Sequence, residues 1–276
     1  MSIGDLGACG NTLLHLTAIV GHLTLAQYLI DKHADVNAVD QEGRQPIHYA
    51  AEQGHKDLVI ALLSNGAMYN AKDNDGNAPL ELTSDADIKE LLESVGDLFK
   101  AVNENAVSKA EELIKNIGKA IEAKDVDSCS ILHLSSGKGF QEICDLLLLN
   151  GANPHTVGSS GKTPLHFASE FSHQEIVVSL LQNGAVYNIE CMDGKTPVDL
   201  ATEENTIILL KLVEESFKKA ENRDTKVIAD IADIKNNDTI KAVLKCRNTQ
   251  RSTLVDVAIK NKFPLWHYEI CINENF

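Results

Sequence analysis

Seven histidines recur at fixed intervals. His15 and His48 lie 33 residues apart, as do His133 and His166, and His22, His55 and His173 follow seven residues after three of these. Imidazole titrates near neutral pH and ligates zinc, so a repeated histidine raises proton transfer and metal binding as first candidates. Zinc needs three or four ligands converging on one point, whereas residues fixed to successive copies of one motif stand a whole copy apart. The recurrence therefore predicts structural histidines. The six cysteines, Cys9, Cys129, Cys144, Cys191, Cys246 and Cys271, form no C-x-x-C pair and no zinc-ligand spacing. Cys144, within Ile143-Cys144-Asp145-Leu146-Leu147, reads as core. Cys9, Cys129 and Cys191 fall near loop tips and are expected to be exposed, with no basic neighbour to activate them. The chain has no Gly-rich phosphate loop after a strand, no nucleophile elbow and no H-E-x-x-H. No catalytic residue, metal site or cofactor is expected, and the chain reads as a non-enzyme.

Charge narrows the partners. A formal net charge of −15 argues against a duplex nucleic-acid binder, which needs Lys and Arg to neutralise phosphates. The imbalance is local: residues 1–210 hold 30 Asp+Glu against 13 Lys+Arg, while residues 211–263 hold 8 against 12. The positive stretch from Lys211 reads as a solvated helical face. No apolar run approaches the roughly 20 residues of a membrane span. Met1-Ser2-Ile3-Gly4-Asp5 lacks the blocks of a secretory leader, and isolated thiols fit a reducing compartment. The expected location is the cytoplasm, with the nucleus left open.

The elements that must position these residues follow a period. Gly10, Gly43 and Gly76 are spaced by 33 residues, Gly161 and Gly194 keep that step, and Ser128 holds the place before Gly161. After each glycine comes a helix start: Gly161-Lys162-Thr163-Pro164-Leu165-His166 offers Thr163 as cap and Pro164 at the first helical position. Gly43-Arg44-Gln45-Pro46-Ile47-His48 and Gly10-Asn11-Thr12-Leu13-Leu14-His15 repeat it. A second helix follows, with Val59, Leu62 and Leu63, or Val177, Leu180 and Leu181, at helical spacing. Asn65-Gly66, Asn150-Gly151 and Asn183-Gly184 stop it, and in Lys32-His33-Ala34 a histidine stands where glycine is easier.

The pattern G-x-T-P-L-H…G-H…L-L-x-x-G-A-x-x-N resembles the ankyrin-repeat family, well over 10–82 and 128–201 and more weakly over 95–127 and 211–263. The resemblance implies an all-α fold, an ankyrin-repeat α-solenoid of stacked helix pairs with projecting hairpin loops, and about eight repeats. It implies protein–protein recognition through the loop tips and the concave helix surface. The positions that the repeat leaves free are then Gln41, Glu42, Arg44, Glu52 and Gln53, next Asn74, Asp75 and Asn77, and in the second block Ser159, Ser160, Lys162, Glu170, Phe171, Met192, Asp193 and Lys195. Phe171 stands where a polar residue is usual and, with Ile19 and Val20 in the first unit, is a candidate contact anchor, against simple packing on a neighbouring repeat. The acidic members Glu42, Glu52, Asp75, Glu170 and Asp193 suggest partner proteins with a basic surface, against a role in solubility alone. Asn37 resembles the asparagine that an asparaginyl hydroxylase modifies in this family, with Asn70 and Asn188 matching less well. The alternative there is a loop-stabilising amide.

A longer period lies above the short one. Gly10 to Ser128, Gly43 to Gly161, Gly76 to Gly194 and Phe99 to Phe217 are each 118 residues apart, and Arg251-Ser252-Thr253-Leu254 restarts the pattern five residues late. The units at Gly76 and Gly194 are short, and Leu98-Phe99-Lys100-Ala101 and Ser216-Phe217-Lys218-Lys219-Ala220 read as degenerate first helices. The expected blocks are 5–94, 95–213 and a degenerate, incomplete 214–276. The expected function is a non-catalytic interaction scaffold or adaptor. Two alternatives stay open: the targeting fragment of a larger multidomain protein, including an enzyme, and the repeat region of a latrotoxin-like secreted toxin.

Overall fold

The computed structural model describes residues 10–158, 160–224, 226, 234 and 237–261. Cys9, Ser159, Cys271 and the end of the third block lie outside the described residues. The chain forms two compact units, 1–131 and 132–276. Among the described residues the regular structure is helical, with isolated bridges and no strand.

In the first unit, helices α1 (Leu13–Val20) and α2 (Leu23–Asp31) form a pair, followed by α3 (Pro46–Glu52) with α4 (Lys56–Leu63). Then come α5 (Pro79–Leu82), α6 (Ala86–Asn103), α7 (Val107–Ile117) and a 3-10 turn, Gly118–Glu122. First helices pack on first helices, α1 on α3 on α5, and second on second, α2 on α4 on α6. The second unit has α8 (Ile131–Lys138), α9 (Gln141–Leu149), α10 (Pro164–Glu170), α11 (Gln174–Gln182), α12 (Pro197–Leu200), α13 (Glu204–Glu221), α14 (Asn237–Lys245) and α15 (Leu254–Lys260). There α10 packs on α12, and α11 on α9 and α13. The buried residues sit on the faces predicted by helical spacing: Ile47, Leu58, Leu62, Leu63, Ile88 and Leu98 in one unit, and Ile143, Leu147, Leu165, Leu180, Leu181 and Val213 in the other. Each such side chain contributes about 1.5–3 kcal/mol when removed from water, so the stacked interfaces hold each unit together.

The stop signals act as the sequence implies. Gly66 has φ +82°, the Gly66 N–H donates to Leu63 O at 3.0 Å, and the Ala67 N–H reaches back to Leu62 O at 3.0 Å. The amides of Asn65, Asn150 and Asn183 donate to the carbonyl four residues earlier, each at 2.8 Å, adding a side-chain bond to the last turn. His33 takes the same turn at φ +64° despite its Cβ.

Two helices depart from the expected layout. α6 and α13 are unbroken runs of 18 residues, so the block boundaries read at 94/95 and 213/214 fall inside them. Each joins the second helix of a short unit to the degenerate first helix of the next. No proline interrupts Ser94-Val95-Gly96-Asp97 or the matching Leu212-Val213-Glu214-Glu215, and Ile88, Leu92, Val95 and Phe99 keep one buried stripe through the junction. The 118-residue offset persists in backbone detail: Asn105 and Arg223 both have positive φ, +54° and +59°. The bridge of Met68 with Lys124 recurs as Val186 with Arg247, the second partner being five residues late. The five added residues therefore lie between Arg223 and Arg247.

Candidate interaction face

The recurring histidines join one repeat to the next. In α10 the Thr163 N–H donates to His166 Nδ1 at 3.0 Å, and the Thr163 hydroxyl lies 2.9 Å from the same atom. A backbone N–H can only donate, so Nδ1 is the acceptor and the proton sits on Nε2. His166 Nε2 accordingly donates to Lys195 O at 3.1 Å, 29 residues on. His15 repeats this with Thr12 and Arg44 O at 3.0 Å, and His133 Nε2 donates to Lys162 O at 3.0 Å. His48 differs: it takes the Gln45 N–H and donates to Ala71 O at 2.9 Å, 23 residues on. Burial holds the His15, His48 and His166 rings below the usual histidine value, against the pull of the carbonyls they serve. The later set points backwards: His55 and His173 Nε2 donate to Ile19 O at 3.3 Å and Gly137 O at 3.1 Å, both 36 residues earlier. A Cβ on Gly139, already at φ +77°, would lie 2.5 Å from the His173 ring. His22 is exposed and, among the described residues, accepts the Leu25 N–H at 3.3 Å.

The loop tips are tied knots. Asp40 Oδ1 accepts the N–H groups of Glu42 and Arg44 at 2.9 Å each, and Asp73 and Asp125 do the same for the next tips. Asn248 plays this part in the last described loop. Adjacent tips also join: the Asn74 N–H donates to Glu42 O at 2.9 Å, its amide to Gln41 O at 3.0 Å, and the Met192 N–H to Ser160 O at 3.0 Å. The knot aspartates were not singled out from sequence, although Asp40 and Asp73 precede their glycines by three residues in register.

Each candidate side chain now has a place. Gln41, Glu42, Gln53, Asn74, Asp75, Phe171, Met192, Asp193 and Lys195 are exposed. Arg44 and Lys162 turn inward. The Arg44 side chain is only 16% exposed, 3.0 Å from Glu52, 3.4 Å from the buried Asp73 and 3.7 Å from Glu42, and its guanidinium lies over the Tyr49 ring. Lys162 pairs with Glu170 at 2.7 Å beside Phe167. Asn77 is half-buried, closing its loop with Asp73. Phe171 is 53% exposed although its ring lies 6.5 Å from Phe167 over Gly137, and Met192 is 78% exposed. A row of partly exposed apolar side chains runs between these positions at the repeat step: Leu16, Tyr49 and Leu82 in one unit, and Leu134, Phe167 and Leu200 in the other. The 33-residue period could have found it. Asn37 bridges to the next repeat: its Nδ2 donates to Gly66 O and its Oδ1 accepts the Met68 N–H, both at 2.9 Å.

The cysteine expectation needs correcting. Cys191 is buried and Cys129 half-buried. Both sit in knots whose backbone closes inward, Cys191 in the place that Asp40 and Asp73 hold elsewhere. Burial pushes the Cys129 and Cys144 thiols up to about 11, far from a reactive thiolate. Among the described residues no three His, Cys, Asp or Glu side chains are placed to hold a metal ion, and no helix is long and apolar enough to cross a membrane.

A family model for ankyrin repeats matches residues 2–73, 98–191 and 132–226. The chain belongs to the ankyrin-repeat family. No curated protein matches it. Both units are therefore stacks of ankyrin helix pairs, and the joined helices α6 and α13 are variations within that family. Ankyrin repeats as a class mediate protein–protein interaction.

Proposed function

We propose that the chain is a non-catalytic ankyrin scaffold or adaptor of the cytoplasm that recognises partner proteins through its loop tips and first-helix faces. One observation carries the reading: buried histidines and knotted tips tie the repeats to one another, while large apolar side chains, Val20, Phe171 and Met192 among them, are left in water. Exposed apolar groups among polar neighbours are how contact anchors present themselves. At the tips of the first unit the exposed charges are Glu42, held only loosely by Arg44 at 3.7 Å, and Asp75, which favours a partner with a basic surface. Arg44 and Glu52 neutralise one another and serve as the frame of that face.

The test is affinity capture followed by quantitative binding, comparing the wild-type chain with Glu42→Lys/Asp75→Lys and with Phe171→Ser/Met192→Ser. The reading expects each double variant to weaken the captured partner at least about tenfold while circular dichroism is unchanged. Binding indifferent to both would reject it. Hydroxylation of Asn37 is proposed on the family resemblance alone. Both ends of its amide are already engaged, so the modifying enzyme must act on a locally opened loop, and a gain of one oxygen on the peptide holding Asn37 is the readout.

A further inference from the structure

A crevice of about 370 Å³ opens in the first unit beside the joined helix, with Tyr69, Asn70 and Leu92 among its lining and the exposed Glu81, Glu93 and Asp97 around it. Its origin is the short helix α5, four residues where α3 has seven. Asn70 occupies the position of Asn37 one repeat on. Asn37 finds an N–H and a carbonyl in the next repeat, but Asn70 Oδ1 is buried with no hydrogen-bond partner. Asn188, the same position in the second unit, has the same unsatisfied oxygen. A buried acceptor without a donor is destabilising, so the truncated step leaves a demand for N–H groups.

The surroundings say what kind of group meets it. Glu81 spends one oxygen on the Ala78 N–H at 2.8 Å, and Asp97 has Lys109 only at 4.0 Å. Glu93 makes no ion pair among the described residues. Gly96 keeps the wall open: a Cβ there would come 3.3 Å from Tyr69 Cε2. The second unit carries Lys211 in place of Glu93 and Glu214 in place of Gly96, a cation and a side chain where the first unit has an anion and a gap.

We propose that this crevice binds the guanidinium of an arginine side chain from a partner protein. The carboxylates match its charge, Tyr69 and Leu92 match its apolar stem, and a small opening of the wall over the buried Asn70 Oδ1 lets its fork of N–H donors supply what that oxygen lacks. The word protein rests on the reading above, whereas the crevice, though it borders α5, is lined by none of the loop-tip residues Glu42, Asp75, Phe171 and Met192.

Amide NMR of the full chain, titrated with N-acetyl-arginine methylamide and with the uncharged citrulline analogue, tests it. The arginine probe is expected to shift the Tyr69, Asn70 and Gly96 signals saturably, and the citrulline analogue to bind at least about tenfold more weakly. Glu93→Lys, on the exposed face of α6, is expected to weaken the arginine probe at least about tenfold with the remaining spectrum intact. Gly96→Glu, the residue of the second unit, is expected to remove the shifts. Equal response to the two probes, shifts elsewhere, no shifts, or indifference to Glu93→Lys overturns the proposal. Glu42→Lys/Asp75→Lys should leave the titration unchanged, so the crevice and the loop-tip face fail independently.

Discussion

Replacing His166 with alanine should be among the most damaging single changes in the second unit. The ring is fully buried and ties three groups together: the Thr163 N–H at 3.0 Å, the Thr163 hydroxyl at 2.9 Å and Lys195 O at 3.1 Å. Losing the bonds to the Thr163 hydroxyl and Lys195 O costs about 1 kcal/mol each, net of water, and the stranded Thr163 N–H adds about 1–3 kcal/mol. The cavity adds to that, although water can reach Lys195 O on its exposed loop and relieve part of the loss. Together this gives about 3–5 kcal/mol. His22→Ala is the control, because that exposed ring makes one long bond to the Leu25 N–H and should cost about 0.5–1 kcal/mol. Urea unfolding followed by circular dichroism gives the totals, and native-state hydrogen exchange over α10 and the Lys195 loop places the loss. A His166→Ala cost below about 1 kcal/mol, or equal to that of His22→Ala, would refute the idea that the histidine joins repeats.

The same rings set a pH dependence. Burial depresses the folded values of His15, His48 and His166, so between the folded and unfolded values the unfolded chain binds more protons. Their contribution to stability should be complete above about pH 6.5 and fall as acid is added below it, read from urea titrations across that range. Gly139→Ala should destabilise by more than about 2 kcal/mol because its methyl meets the His173 ring at positive φ, whereas Gly194→Ala, with nothing within 4 Å, should cost only about 1 kcal/mol of backbone strain. Differential scanning calorimetry separates the two. Alkylation at pH 7.5 with peptide mass mapping should leave Cys129 and Cys144 largely unmodified until the chain is unfolded, since both thiols titrate near 11. Rapid native labelling of either would contradict their burial.

Much of the fold is legible in the residues because each signal is local. Glycine at positive φ, Pro46 and Pro164 at the first helical position and the stop at Asn-Gly all act within one turn, so Gly43, Pro46 and Gly66 mark their elements directly. The joined helices were not legible, because the signal for a helix end is a residue that breaks it, and Ser94–Asp97 offers only Gly96. The inward turn of Arg44 was hidden for another reason. Its partners, Glu52 and Asp73, lie on a helix end and on the following loop, and a periodic reading assigns every residue beside the anchoring glycine to the surface. Cys191 was misplaced by the same reasoning. The free positions Glu42, Asp75, Phe171 and Met192 were legible as exposed residues, while the partner they meet is chemistry that lies outside the chain.

The histidines that join the repeats donate to backbone carbonyls, those of residues 44, 162 and 195, and not to their side chains. Every amino acid presents that same carbonyl. A change of side chain at these positions therefore leaves the joint between repeats chemically intact. Arginine, lysine and lysine stand there now: the inward pairs of Arg44 and Lys162 belong to the frame on their own account, while at Lys195 the outward chemistry can change without loosening the histidine joint.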